Sequence, residues 1–94
     1  KEEEVLTLHQ TAQELHCRIK GVYPYAYFTI LLRNQPTKLF CLDSQVVNIP
    51  LQPGEIFSSK TRLIIGAKEG SLEILRLKQE GRKELSAEEW LRSA

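Results

Sequence analysis

From Leu8 onward apolar side chains recur at Leu8, Ala12, Leu15, Ile19 and Val22, spacings of four and three that draw one stripe down a helix. The spacing predicts that helix over residues 8–21. Thr11 with Glu14 has capping-box spacing and so does Thr7 with Gln10, so either pair can open it. Arg18 and Lys20 suit its negative end, Gly21 is free to take a left-handed conformation there, and Pro24 forbids continuation. Residues 1–7 read as a charged lead-in or linker end.

Beyond Pro24 the pattern changes from helical to strand-like. Tyr25 to Leu32 is aromatic and β-branched, which predicts a strand buried on both faces or one set within a closed barrel. Arg33 to Pro36 reads as a turn, and Lys38 to Val47 as a second strand, kinked or bulged where Asp43 and Ser44 interrupt its apolar run. Two prolines and a glycine make Asn48 to Gly54 a loop, with Pro53-Gly54 the turn that starts a short strand at Glu55 to Phe57. Ser58 to Thr61 is a polar turn, Arg62 to Lys68 a strand, and Lys68-Glu69-Gly70 a hairpin turn into the longest strand, Ser71 to Gln79. That last strand does not alternate cleanly, so a bulge or strong twist is expected near Ile74 and Leu75, leaving Arg76 and Lys78 on one outer face. After the turn at Gly81, Ser86 and Glu89 have capping-box spacing and predict a closing helix over 86–92 carrying Trp90 and Leu91. Five strands over 25–85 between two helices indicate an α+β fold, a small barrel, in a single domain spanning 1–94.

Composition narrows this picture. Ninety-four residues allow one modest core and no second domain. Thirteen basic side chains against twelve acidic ones give a formal net charge of +1, which does not announce a nucleic-acid binder. The distribution is less even: Glu2, Glu3 and Glu4 cluster at the start, whereas Lys60, Arg62, Lys68, Arg76, Lys78, Arg82 and Lys83 fall within one stretch, so one barrel face is expected to be basic. Cys17 and Cys41 have neither close spacing nor further partners, and are expected as small buried side chains in a reducing compartment. No apolar run approaches the roughly 18 residues of a membrane span, and no targeting segment opens the chain, so a cytoplasmic protein without a membrane partner is expected. The lack of methionine, position 1 included, predicts a piece of something longer.

Candidate chemistry is sparse. His9 and His16 lie seven apart on the first helix and lack a third ligand, so solvated or packing histidines are the expectation. Asp43 is the sole aspartate, and with Asn34, Asn48 and the two histidines it assembles no catalytic set; no phosphate-cradling glycine loop occurs. No catalytic, cofactor-binding or metal-binding residue is therefore assigned. The cations offer more. Lys20, Lys60, Arg62, Arg76, Lys78, Arg82 and Lys83 are candidates for pairing with phosphates, led by Arg82 and Lys83 because one turn holds them together. Solubilising surface charge is the competing reading for each. Tyr23, Tyr25, Tyr27 and Phe28 can be read as a base-stacking platform, but their place between a helix and a buried strand favours core packing, as for Trp90.

The motifs also fit a family. Thr11-Ala12-Gln13-Glu14-Leu15 through Arg18-Ile19-Lys20 to Tyr23-Pro24, then Pro53-Gly54-Glu55-Ile56, then Gly70-Ser71-Leu72-Glu73-Ile74 through Gln79-Glu80-Gly81-Arg82-Lys83, stand in the order of a known pattern. Over almost its whole length the chain resembles the C-terminal domain of the methionyl-tRNA formyltransferases. It departs at Tyr25-Ala26-Tyr27, where that family usually has Pro-Gly-Ala, and at Lys20, where arginine is usual. The resemblance implies an OB-like barrel of five to six strands. It also implies a non-catalytic domain that binds the body of initiator tRNA through phosphates, beside an N-terminal catalytic domain of the same parent chain that uses 10-formyltetrahydrofolate. The alternative is a structural domain of a sugar formyltransferase or another formyltetrahydrofolate-using enzyme, packing on its neighbour and touching no nucleic acid. The near-neutral charge favours that alternative more than the motifs do.

Overall fold

The computed structural model describes residues 3–7, 9–32 and 34–93. The first helix, α1, spans Ala12–Gly21, because of the two possible capping boxes the one at Thr11 forms. The Thr11 hydroxyl accepts from the Glu14 amide and the Glu14 carboxylate accepts from the Thr11 amide. The helix is thus shorter at its start than the 8–21 expected, and Leu8 lies outside the described residues. Gly21 is helical and takes no left-handed conformation; the helix closes on Val22, whose amide still reaches the Arg18 carbonyl at 3.0 Å. Ala12, Leu15 and Ile19 bury the predicted stripe, with Val22 packed at its edge.

Among the described residues seven strands form one mixed sheet: β1 (Glu4–Val5), β2 (Ala26–Leu32), β3 (Gln35–Val47), β4 (Ile56–Ser58), β5 (Leu63–Gly66), β6 (Ser71–Gln79) and β7 (Glu84–Ser86). The order is β1-β2-β3-β6-β5-β4, with β7 also on β6. Among the described residues β1 and β4 end the path without pairing to each other, so the sheet is open and the expected barrel closure is not formed. Two strands lie where none was expected. β1 comes from the lead-in and joins β2 in parallel, and β7 turns the residues after Lys83 into a hairpin with β6. The expected turn at 33–36 is also shorter, since Gln35 and Pro36 already pair with β2; Arg33 lies outside the described residues, and Asn34 takes a left-handed φ of 67°.

The irregularities fall where the interrupted patterns placed them. Between β3 and β6 the register shifts twice: Leu42 has no partner between Cys41↔Leu77 and Asp43↔Arg76, and Leu75 has none between Asp43↔Arg76 and Ser44↔Ile74. One extra residue on each strand cancels the other. The bulge at Leu75 changes the phase of β6, so that Leu72, Ile74 and Leu77 all reach the core while Arg76 is turned outward. β3 covers one edge of β6 along its length; β5 and β7 share the other, β5 on Ser71 to Ile74 and β7 on Arg76 to Lys78.

The core lies on one face of this sheet. Leu15 and Ile19 of α1 meet Ala26, Phe28, Leu39, Cys41, Leu72, Ile74 and Leu77 there. The second helix, α2 (Ala87–Ser93), adds Ala87 and Trp90, after a capping box in which the Ser86 hydroxyl accepts from the Glu89 amide at 3.1 Å and the Glu89 carboxylate accepts from the Ser86 amide at 3.0 Å. β2 is not buried on both faces: Ala26 and Phe28 enter the core, whereas Tyr25 and Tyr27 are half-buried on the other side. Cys41 is buried, but Cys17 is exposed on α1, contrary to the expectation for both. The loop after β3 is pressed onto β5, where a Cβ at Gly66 would collide with the Gln52 carbonyl, and Ser71 donates its hydroxyl to the Ile49 carbonyl beneath that loop. No described helix is long and apolar enough to cross a membrane.

Candidate nucleic-acid interface

The outer face of the sheet is built by direct cross-strand pairs, which place paired side chains side by side. Tyr27 opposes Phe40, Phe40 opposes Lys78, and Lys78 opposes Glu84, so one row crosses β2, β3, β6 and β7. The Tyr27 and Phe40 rings tilt against each other with centroids 5.6 Å apart. Two ammonium groups cover them: Lys38 Nζ stands 5.0 Å from the Tyr27 centroid, and Lys78 Nζ 5.8 Å from that of Phe40.

The candidate cations have unequal freedom. Arg62 is held by Glu73, its Nε donating to Oε2 at 3.1 Å and its Nη2 to Oε1 at 2.9 Å, while Gln45 donates to the same carboxylate at 2.9 Å. Those Arg62 bonds, before any other cause, hold the Glu73 carboxyl below the usual carboxylate range, although the residue is only 7% exposed. Arg76 donates to Glu84 at 2.6 Å across the β6–β7 hairpin. Lys20 is exposed on α1, and Lys60 is exposed in the turn between β4 and β5.

Arg82 and Lys83 stand apart from these. The Gly81 turn, at φ 82°, and the Arg82 amide bonded to the Gln79 carbonyl at 2.8 Å set both residues at the tip of the hairpin. Both are exposed. Among the described residues neither side chain makes a hydrogen bond or ion pair; Lys83 acts on Glu89 only at longer range. The β6–β7 hairpin therefore gathers Arg76, Lys78, Arg82 and Lys83, with only the last two uncommitted, whereas Lys20, Lys60 and Arg62 belong to other elements. The expected basic face carries interleaved acids: Glu73, Glu84 and Glu80 stand among its cations.

Other residue types add little chemistry. His16 Nδ1 lies 2.9 Å from the buried Ser44 hydroxyl, a contact that fastens α1 to β3. Asp43 accepts from the Ser44 amide at 2.9 Å instead of facing the imidazole, so the three residues form no relay. Among the described residues no cluster of His, Cys, Asp and Glu gathers as a metal site. Trp90 packs in the core and donates its ring N–H to Gln79 at 3.0 Å.

One feature was missed from sequence. Tyr23, Tyr25, Phe40, Leu42 and Lys78 line a groove of about 450 Å³ beside the β6–β7 turn, with Gly81 at its rim. Only Phe28 of the four aromatic residues grouped at 23–28 is in the core. The alternation of Tyr25 and Tyr27 with Ala26 and Phe28, a period of two, carried part of the signal, since it sets both tyrosines on the side of the strand away from the core, whereas Tyr23 reaches the groove from the preceding turn.

The chain matches the family described as formyl transferase, C-terminal domain, over residues 1–94. It is 28% identical to the methionyl-tRNA formyltransferase of Thermodesulfovibrio yellowstonii over 97% of this chain and 29% of that protein. It is 33% identical to that of Protochlamydia amoebophila over 93% of this chain and 29% of the relative, and 30% identical to that of Parvibaculum lavamentivorans over 98% and 30%. The chain thus spans under a third of the length of these relatives. With the family model matched from end to end and relatives at about 30% identity over nearly the whole chain, the chain belongs to the formyl transferase C-terminal domain family.

Proposed function

We propose that residues 1–94 are the tRNA-gripping domain of a methionyl-tRNA formyltransferase-like enzyme, holding the body of initiator tRNA by its backbone phosphates. The observation that carries this reading is the uncommitted pair Arg82 and Lys83, presented at the tip of a hairpin in a chain whose relatives act on a tRNA-borne methionine by name. A catalytic N-terminal domain of the same parent chain transfers the formyl group from 10-formyltetrahydrofolate, in the cytoplasm, and no step of that chemistry falls to these residues. Their contribution is positional: a macromolecular substrate held at a distance brings its reacting end to a fixed place, removing orientational entropy from the reaction. An OB-like use of the sheet face fits this reading, the exposed surface and not the core providing the contacts.

The test is anisotropy of labelled initiator tRNA with this chain, at low and at physiological salt, beside the Arg82→Ala/Lys83→Ala variant. Loss of two phosphate contacts is expected to weaken binding at low salt and to lower the slope of log K against log salt by about 2. Absence of binding at low salt would reject the tRNA reading in favour of a packing domain of a sugar formyltransferase or related enzyme, a role that Arg62 and Arg76, both already paired with acids, suit equally well.

A further inference from the structure

The groove beside the hairpin tip has features that phosphate binding does not use. Tyr23 forms part of its wall while 57% exposed, an arrangement that leaves a large ring in water. Tyr25 and Phe40 continue the aromatic wall, and Leu42 adds the apolar surface freed by the β3 bulge. Three carboxylates line it, Glu3, Glu80 and Glu84, of which Glu3 is engaged by Lys38 and Glu84 by Arg76. Glu80 makes no side-chain hydrogen bond or ion pair among the described residues.

This combination fits a flat ring better than an extended peptide or a cation. A peptide adding to a sheet needs free backbone edge groups, and the two central strands under the groove, β3 and β6, are already paired on both sides. A cationic guest would meet Lys78, which already lies over Phe40. A nucleobase needs none of this. It stacks on aromatic faces and offers ring-edge N–H donors to carboxylates, while its own phosphate stays outside. Gly81 borders the groove and is followed by Arg82 and Lys83, so that outside position is already basic.

We propose that this groove takes one unpaired, amino-bearing nucleobase of the RNA whose phosphates Arg82 and Lys83 hold, with Tyr23 and Tyr25 stacking on it and Glu80 accepting from its amino group. The inference rests on the tRNA-gripping reading. Uracil fits less well, because its only ring-edge donor on the pairing side lies between two carbonyl oxygens that a carboxylate repels.

The experiment measures anisotropy at low salt for three RNAs, oligocytidine, oligouridine of equal length and a blunt-ended duplex, with the native chain and four variants. Tyr23→Ser and Tyr25→Leu remove a ring, the first at an exposed site and the second with apolar volume retained, so both are expected to fold; thermal melts check this. Each is expected to weaken oligocytidine binding on the order of tenfold while leaving the duplex unchanged. Glu80→Gln should erase most of the preference for cytidine over uridine. Arg82→Ala/Lys83→Ala should weaken all three RNAs alike. Ring variants that bind oligocytidine like the native chain overturn the groove while the cationic grip stands. Native protein that binds none of the RNAs overturns both.

Discussion

At the residue scale, environment separates groups that share a side-chain chemistry. Cys17 and Cys41 are the same thiol, but burial pushes the Cys41 pKa up to about 12 whereas Cys17 faces solvent on α1. Thiolate is the reactive form, so a disulfide-exchange reagent is expected to titrate one thiol in the native chain and two after denaturation, read by absorbance. Glu73 makes the complementary case. Its folded carboxyl is held low, chiefly by Arg62, so in acid the unfolded chain takes up the proton first. The stabilisation is complete above the ordinary glutamate value and disappears as pH falls through the lowered one. Arg62→Ala should therefore lower the urea midpoint of the chain at neutral pH, by a modest amount because solvent screens a guanidinium that is 44% exposed. Urea titrations of native and variant chains should converge as pH falls below that range. The interleaving of charge was visible in the sequence, but not the pairing: nothing in the spacing of Arg62 and Glu73 distinguishes a bidentate pair from two solvated charges.

At the element scale, the helix starts were legible because their cause is local, although the left-handed glycine expected to close α1 did not form. Both helix starts are capping boxes, each a contact over three residues, and each formed. Thr11→Ala is expected to cost about 1 kcal/mol, measured as a shift of the urea midpoint; the same change at Thr7 should cost little, since the helix does not begin there. The bulges were equally legible, because a broken alternation requires a phase change if Leu72, Ile74 and Leu77 are all to be buried. Short strands were not. Two residues of β1 and three of β7 carry too little periodicity to be read, and both exist because a neighbouring strand offers an edge. β1 is further fastened by Glu3 to Lys38 at 2.6 Å and by Glu4 to Arg18.

At the scale of the whole molecule, α1, the sheet and α2 close over one core, with Trp90 reporting from the end of the chain and Leu15 and Ile19 from its beginning. Unfolding in urea followed by Trp90 fluorescence and by far-ultraviolet circular dichroism should therefore give coincident transitions; separated midpoints would show that α2 detaches on its own. The cationic hairpin tip and the aromatic groove lie on the opposite side from that core, so substitutions there are expected to leave the melting temperature of the chain little changed.

The sequence by itself determined the α+β class, the two helices, the sites of the bulges and the family, because caps, periodicity and glycine turns act over a few neighbouring residues. Only the tertiary structure decided that the sheet stays open, that Arg62 and Arg76 are tied to acids while Arg82 and Lys83 are not, and that Tyr23 and Tyr25 line a surface groove with Phe40. Each of these depends on which distant strand arrives alongside. Residues 25 and 40, or 76 and 84, become neighbours only through strand pairing, and no local propensity encodes the charge or ring that a partner strand will bring.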